Sequence, residues 1–322
     1  MPPRYLTPAK SCLANAAIVR LEAVGRNMAD EQSPANEQQL HDESPCDVVM
    51  VRVGIDVGNT AIKVVTEFSV TDETVQRNKT RGPQLRSISL RDPEWITKCV
   101  KHLQTLAEQV AACESRDCES VCFDVRVASV NRGSAEPLVV ALDEAFFQCI
   151  RVRFVTHEDV SMPIDVNFPE RVGIDRLLGA EAAFRRHTAP LIVVDAGTTV
   201  TVDFVSAEGV FRGGAILPGL EMQTAALAAG TDALPKLDWA SHRCREMPEG
   251  PGRDTVAAMR LGVLASVAGA VERLLRIYGG AATLVVTGGD AGCLVDALPA
   301  ECDAVEEPHL VAQALLDLMR HE

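Results

Sequence analysis

The sequence predicts an α/β protein built of two related halves, each a mixed sheet with crossover helices. Three observations lead there. A glycine turn occurs twice, as Asp56-Val57-Gly58-Asn59-Thr60 and as Asp195-Ala196-Gly197-Thr198-Thr199, and each copy sits between β-rich runs. Strand-like and helix-like stretches follow both copies in one order, the pattern of an α/β fold. A chain of 322 residues is long enough to bury a core in each half.

The first half opens on Val48 to Ile55, whose β-branched residues read as a buried strand, and its turn leads into a second strand from Ile62 to Phe68. A stretch punctuated by Gly82 and Pro83 separates this hairpin from a strand at Leu85 to Leu90. A helix is expected from Pro93 to Cys113, a strand from Ser120 to Val130, a helix from Ala135 to Phe147 and a strand from Arg151 to Thr156. The second half starts near Leu191 with strand, turn and strand to Val205. It continues through Val210 to Ile216, helices reaching Tyr278, a strand at Thr283 to Thr287 and a helix from His309 to Arg320. Domains of residues 48–188 and 189–322 are therefore expected, with a hinge between them.

Residues 1–47 do not fit this programme. The stretch from Met28 to Asp47 mixes Asp30, Glu31, Glu37, Asp42 and Glu43 with Gln, Asn, Ser and Pro and lacks periodicity, so it cannot bury enough apolar area to order itself. Ser11 to Val24 is apolar but short and flanked by charge, which argues against a signal peptide. A disordered or loosely ordered tail is the expectation, and Met50 is a natural start for the folded part.

The turns carry the chemistry. Glycine permits positive φ and close backbone approach to an anion, while Asn, Thr and free N–H groups donate to phosphate oxygens. Asp56 and Asp195 are hard oxygen ligands for a cation beside those phosphates, and Lys63 is a point charge within reach of them. One such turn is also an ordinary hairpin. Two copies on two halves point to a nucleotide held in the cleft between them.

Composition narrows the partners. Forty-five acidic against thirty-one basic residues give a net charge of -14, with no Lys/Arg run to track a nucleic-acid backbone. No stretch is read as a membrane span, so a soluble chain is expected. The ten cysteines include no C-x-x-C pair and read as reduced thiols, and no zinc site is assigned to Cys113, Cys118 and Cys122. None of the seven histidines falls in a motif.

Six ordered motifs then carry a resemblance. They are Asp56 to Lys63, Gly173-Ile174-Asp175-Arg176, Asp195 to Thr199, Gly213-Gly-Ala-Ile-Leu-Pro-Gly219, Gly252-Arg-Asp-Thr255 and Thr287-Gly-Gly-Asp290. In order and spacing this set resembles the type III pantothenate kinases, of the superfamily that holds acetate and sugar kinases, Hsp70 and actin. The resemblance covers residues 48–322 and implies ribonuclease H-like halves around an ATP cleft. It implies transfer of the γ-phosphoryl group of ATP to the primary hydroxyl of pantothenate, the first step toward coenzyme A. By resemblance Asp56, Val57, Gly58, Asn59, Thr60, Ala61, Ile62 and Lys63 form the first ATP segment, and Thr198 contacts ATP from the second. Asp175 is the general base, while Gly173, Ile174, Asp175, Arg176 and Thr255 contact pantothenate. Asp195 holds a monovalent cation (K⁺ or NH₄⁺), and Asp56 holds Mg²⁺, directly or through water. A cytoplasmic homodimer is implied, with no membrane or nucleic-acid partner, and the apolar stretch Thr255 to Ile277 offers surface to a second copy.

Read on local sequence alone, the same residues have plainer alternatives. Asp175 is also a candidate helix N-cap, with the helix starting near Arg176 and the helix end keeping the carboxylate ionised. Gly288-Gly289 is also a plain turn, and Gly213-Gly214 a β-bulge. Val166 and Gly179 stand where the family has Tyr and Asn, with Phe168 a substitute aromatic wall, and a close neighbour is expected at Gly179. Phosphorylation of another small hydroxylated metabolite, or a non-enzymatic regulatory role, are the alternative functions.

Overall fold

The computed structural model describes residues 48–72, 77–113, 120–239, 250–280 and 282–320; the expected tail lies outside them. The first sheet consists of β1 (Val48–Val57), β2 (Ala61–Asp72), β3 (Arg77–Ser89), β4 (Ser120–Ser129) and β5 (Ile150–Phe154) in the order β3-β2-β1-β4-β5. The second consists of β6 (Leu191–Ala196), β7 (Thr199–Val205), β8 (Phe211–Pro218), β9 (Thr283–Thr287) and β10 (Ala304–Glu306), ordered β10-β9-β6-β7-β8. Read from the other edge the second order matches the first strand for strand. Each half pairs its first two hairpins antiparallel and its remaining neighbours parallel. The duplicated turn thus marks a duplicated fold.

Alternation along the strands decides which face meets which helix. Val51, Val53, Ile55 and Val57 of β1 point outward with Phe123, Val125 and Val127 of β4, into a core shared with α1 (Trp95–Cys113) and α2 (Arg132–Ala145). Ile192, Val194, Val200, Val202, Leu284 and Val286 do the same in the second sheet. There the cover is α5 (Thr255–Ile277) and α6 (Ala291–Ala297), with α4 (Leu220–Ala229) beside α5. The opposite, inner faces meet α3 (Ile174–Arg186) and α7 (Leu310–Arg320), which join the halves. Leu177, Leu178, Val193, Val285, Leu310 and Leu315 form that central core. Arg320 of α7 also pairs with the buried Glu67 of β2, and a Cβ on Gly54 would lie 2.8 Å from that of Leu315, so α7 rests directly on β1. Close helix packing requires the missing side chain there.

Three expectations need correction. Strand β3 begins at Arg77, so Gly82 and Pro83 lie inside it; as an edge strand it loses no obligatory ladder bond to proline. Helix α5 is, by length and composition, long and apolar enough to cross a membrane, contrary to the reading that no stretch is. Seven of its side chains, from Met259 to Leu275, are buried in the protein. Finally, Cys293 is disulfide-bonded, whereas Cys99, Cys149 and Cys302 are free.

Candidate active site

The site lies where both turns emerge from the inner faces. In β1 and β2 the antiparallel register sets Asp56 opposite Lys63; in β6 and β7 it sets Asp195 opposite Thr201. Opposed residues share a face, and Gly54 and Val193 on those faces meet the central helices, so both carboxylates point inward. The turns touch: Thr60 Oγ1 and Thr198 Oγ1 are 2.6 Å apart across 138 residues of chain. Arg91 of the first half pairs with Glu221 of α4 at 2.6 Å beside them.

The two turns close differently. In the first, the Gly58 amide bonds to the Ala61 carbonyl at 3.1 Å; in the second, Gly197 bonds to Thr199 at 3.0 Å, one residue tighter. Neither glycine has positive φ, against the expectation for them. The left-handed residue is Gly288, at φ 101°, where a Cβ would stand 2.3 Å from the Ala196 carbonyl oxygen. A Cβ on Gly219 would stand 2.2 Å from the Gly197 carbonyl oxygen. The family-like glycine motifs therefore wedge the second turn from both sides, which a plain turn at Gly288 would not require.

Asp175 is the second residue of α3, with Gly173 at the N-cap. It is not the cap itself. Its Oδ1 accepts from the Arg176 amide at 2.8 Å, and a Cβ on Gly173 would sit 2.5 Å from that oxygen, so the glycine makes room for the carboxylate. Burial pushes the Asp175 pKa up, although the Arg176 amide, the Arg176 charge and Lys63 oppose it. Desolvation outweighs the helix end, which corrects the expectation that the helix end governs this group.

Charge at the site is shared by four acids. Burial raises the Asp56 pKa from 3.8 to about 6, with Asp175 and Asp195 adding repulsion and Lys63, 3.7 Å away, opposing. Asp195 is raised by burial too, with Asp175 and Asp203 adding to it and Lys63 opposing. Asp203, on β7, is raised by burial although Arg176 binds it. The sequence marks it only by the polar alternation of Thr201 and Asp203 within Thr199-Val-Thr-Val-Asp-Phe-Val205.

Other expected residues fall elsewhere. Thr255 is the first residue of α5 after the N-cap Asp254 and is exposed, and among the described residues no hydrogen bond ties it to Gly173–Arg176. Gly213 has φ 84° beside a register shift between β7 and β8, so the bulge reading of Gly213-Gly214 holds. Phe168 is exposed, with the Arg171 guanidinium carbon 4.6 Å from its ring centroid. A Cβ on Gly179 would find Val311 at an ordinary 3.8 Å, so the expected close neighbour is absent.

Among the described residues no three His, Cys, Asp or Glu side chains are grouped to hold a metal. Two carboxylates facing one place, Asp56 buried and Asp195 half-buried, only part-neutralised by one lysine, nevertheless fit a hard cation whose remaining ligands are phosphate oxygens and water.

A family model described as type III pantothenate kinase matches residues 52–277. A type III pantothenate kinase from Rhodopirellula baltica is 93% identical over 273 residues, covering 85% of this chain and 100% of that protein. One from Persephonella marina is 31% identical over 167 residues, covering 50% of this chain and 63% of that protein. The solved ethanolamine utilization protein EutJ from Carboxydothermus hydrogenoformans is 15% identical with a TM-score of 0.44, covering 83% of this chain and 88% of that one.

Proposed function

The chain belongs to the type III pantothenate kinase family, ATP-dependent enzymes that phosphorylate pantothenate for coenzyme A synthesis, and on that premise we propose how its residues divide the work. The carrying observation is the meeting of the two turns at Thr60 and Thr198, with Asp56, Asp175 and Asp195 coupled through one lysine. Asp56 to Lys63 and Thr198 hold the ATP phosphates. Their donors are in place: the amides of Asn59, Thr60 and Thr198 have no acceptor among the described residues.

Gly173 to Arg176 and Thr255 hold pantothenate. Asp175 takes the proton of the primary hydroxyl as its oxygen bonds to the γ-phosphorus and the bond to the ADP oxygen breaks. Its raised pKa suits this task, because a carboxylate pushed up by burial is a stronger base than an exposed one. Lys63 neutralises charge on the transferred group. Mg²⁺ at Asp56 and a monovalent cation at Asp195 supply further charge neutralisation when bound. A cytoplasmic homodimer, and domains of residues 48–188 and 189–322, belong to the same proposal.

Assay of purified protein with ATP, Mg²⁺ and pantothenate tests it. Asp175→Asn should lower kcat by roughly 10²-fold or more with ATP affinity kept, since general-base catalysis contributes 10² to 10⁴. Near-normal turnover would remove Asp175 from the mechanism. Activity should also be higher in K⁺ or NH₄⁺ than in Na⁺, and equal rates in all three would dismiss the cation at Asp195.

A further inference from the structure

Asp203 has no role in the division of work above, yet its side chain is 2% exposed against 14% for the arginine it holds. Arg176 Nε donates to both of its oxygens, at 3.0 and 3.1 Å, and Arg176 Nη2 donates to Oδ1. Thr201, two residues back on the same strand β7, favours its ionised form as well. A Cβ on Gly214 would come within 2.6 Å of Asp203 Oδ1, so β8 closes the remaining side. The Phe211 ring lies 5.9 Å from the Arg176 guanidinium carbon. Along its Nε and Nη2 edge the arginine is clamped. Its Nη1 group has no hydrogen-bond partner among the described residues.

We propose that Asp203 is the positioning residue that fixes Arg176, so that the remaining edge of the guanidinium meets the carboxylate of the acceptor. This rests on the reading of Arg176 as a pantothenate contact. The chemistry favours it in two ways. A guanidinium presents its donors in a rigid planar fork, so holding one edge fixes the direction of the other. Asp203 also occupies a cation that lies next to Asp175 in sequence and would otherwise be free to pair with it, leaving the base available for the hydroxyl proton. Stability alone is a poor reason for such a pair, because apolar residues of similar volume commonly replace buried ion pairs without loss.

A double-mutant cycle tests the proposal, with Asp203→Asn, Arg176→Gln and the double variant assayed on pantothenate and on ATP. In the Asp203→Asn protein the pantothenate KM should rise and kcat/KM fall roughly 10²-fold, the scale of a misplaced positioning group. The ATP KM should stay within about twofold, and in the Arg176→Gln background Asp203→Asn should add less than about threefold, the mark of two residues acting as one. Equal losses in both backgrounds, or ATP and pantothenate constants worsening together, would overturn it. Should the single Asp203 variant not fold, Asp203→Glu keeps the charge and moves it by one methylene: a raised pantothenate KM with the ATP KM kept supports the role, and wild-type constants for both substrates refute it. If wild-type protein fails to turn over pantothenate, the underlying reading fails and this inference with it. If wild-type turns over and the cycle is additive, only the inference fails.

Discussion

Asp56 shows what the site costs the fold. Its pKa stands at about 6 because burial disfavours the charged form, so the native protein holds a proton that the unfolded chain has released between pH 4 and 6. A raised carboxyl therefore contributes stability below its unfolded pKa and loses it as pH rises through about 6. Above that the buried charge costs on the order of 3 kcal/mol, since each tenfold change in proton affinity is worth about 1.36 kcal/mol. Asp56→Asn should raise the melting temperature of chelated, nucleotide-free protein at pH 7.5, flatten its decline between pH 4 and 7, and abolish activity. An unchanged or lower melting temperature at pH 7.5 would mean that Lys63 already compensates the charge.

Glycines separate at the scale of elements into those the fold uses and those it tolerates. Gly288 combines φ 101° with a Cβ position 2.3 Å from the Ala196 carbonyl oxygen, so Gly288→Ala must displace the second turn. The ATP KM should rise at least about tenfold, since misplacing a positioning element by 1 Å can cost 10²-fold. Gly179 lies inside α3, and a Cβ there would meet Val311 at an ordinary contact distance of 3.8 Å. Gly179→Ala should therefore raise stability by up to about 1 kcal/mol, the helix-propensity difference. Reversal of this order in paired melting and kinetic measurements would show that the carbonyl contacts at Gly288 relax and that α3 needs its glycine.

At the scale of the whole molecule, an apolar groove bears on assembly. Helices α4 and α5 flank a groove of about 630 Å³ lined by Ala226, Leu227, Met259 and Val263. Met222, Leu227 and Val256 on those helices are exposed. A second copy would cover this surface with matching apolar side chains. Light scattering at micromolar concentration should give twice the mass of one chain, and Leu227→Asp should shift it toward the monomer. A fully active monomeric wild-type protein would refute the dimer.

The sequence alone was enough for the duplicated turn, the order of most strands and helices, and the family that six spaced motifs carry. Those are local signals: a β-branched run, a glycine at a bend and an Asp-Arg pair are written in neighbouring residues. Relations between distant residues were decided only by the tertiary structure. The clamp of Asp203 on Arg176 spans 27 positions, and the contact of Thr60 with Thr198 spans 138. The use of α7 to cover the first sheet joins Arg320 to Glu67 across 253. Burial, likewise, is a property of the assembled core. For that reason the helix end at Asp175 suggested an ionised carboxylate, whereas desolvation by α3 and its surroundings raises its pKa.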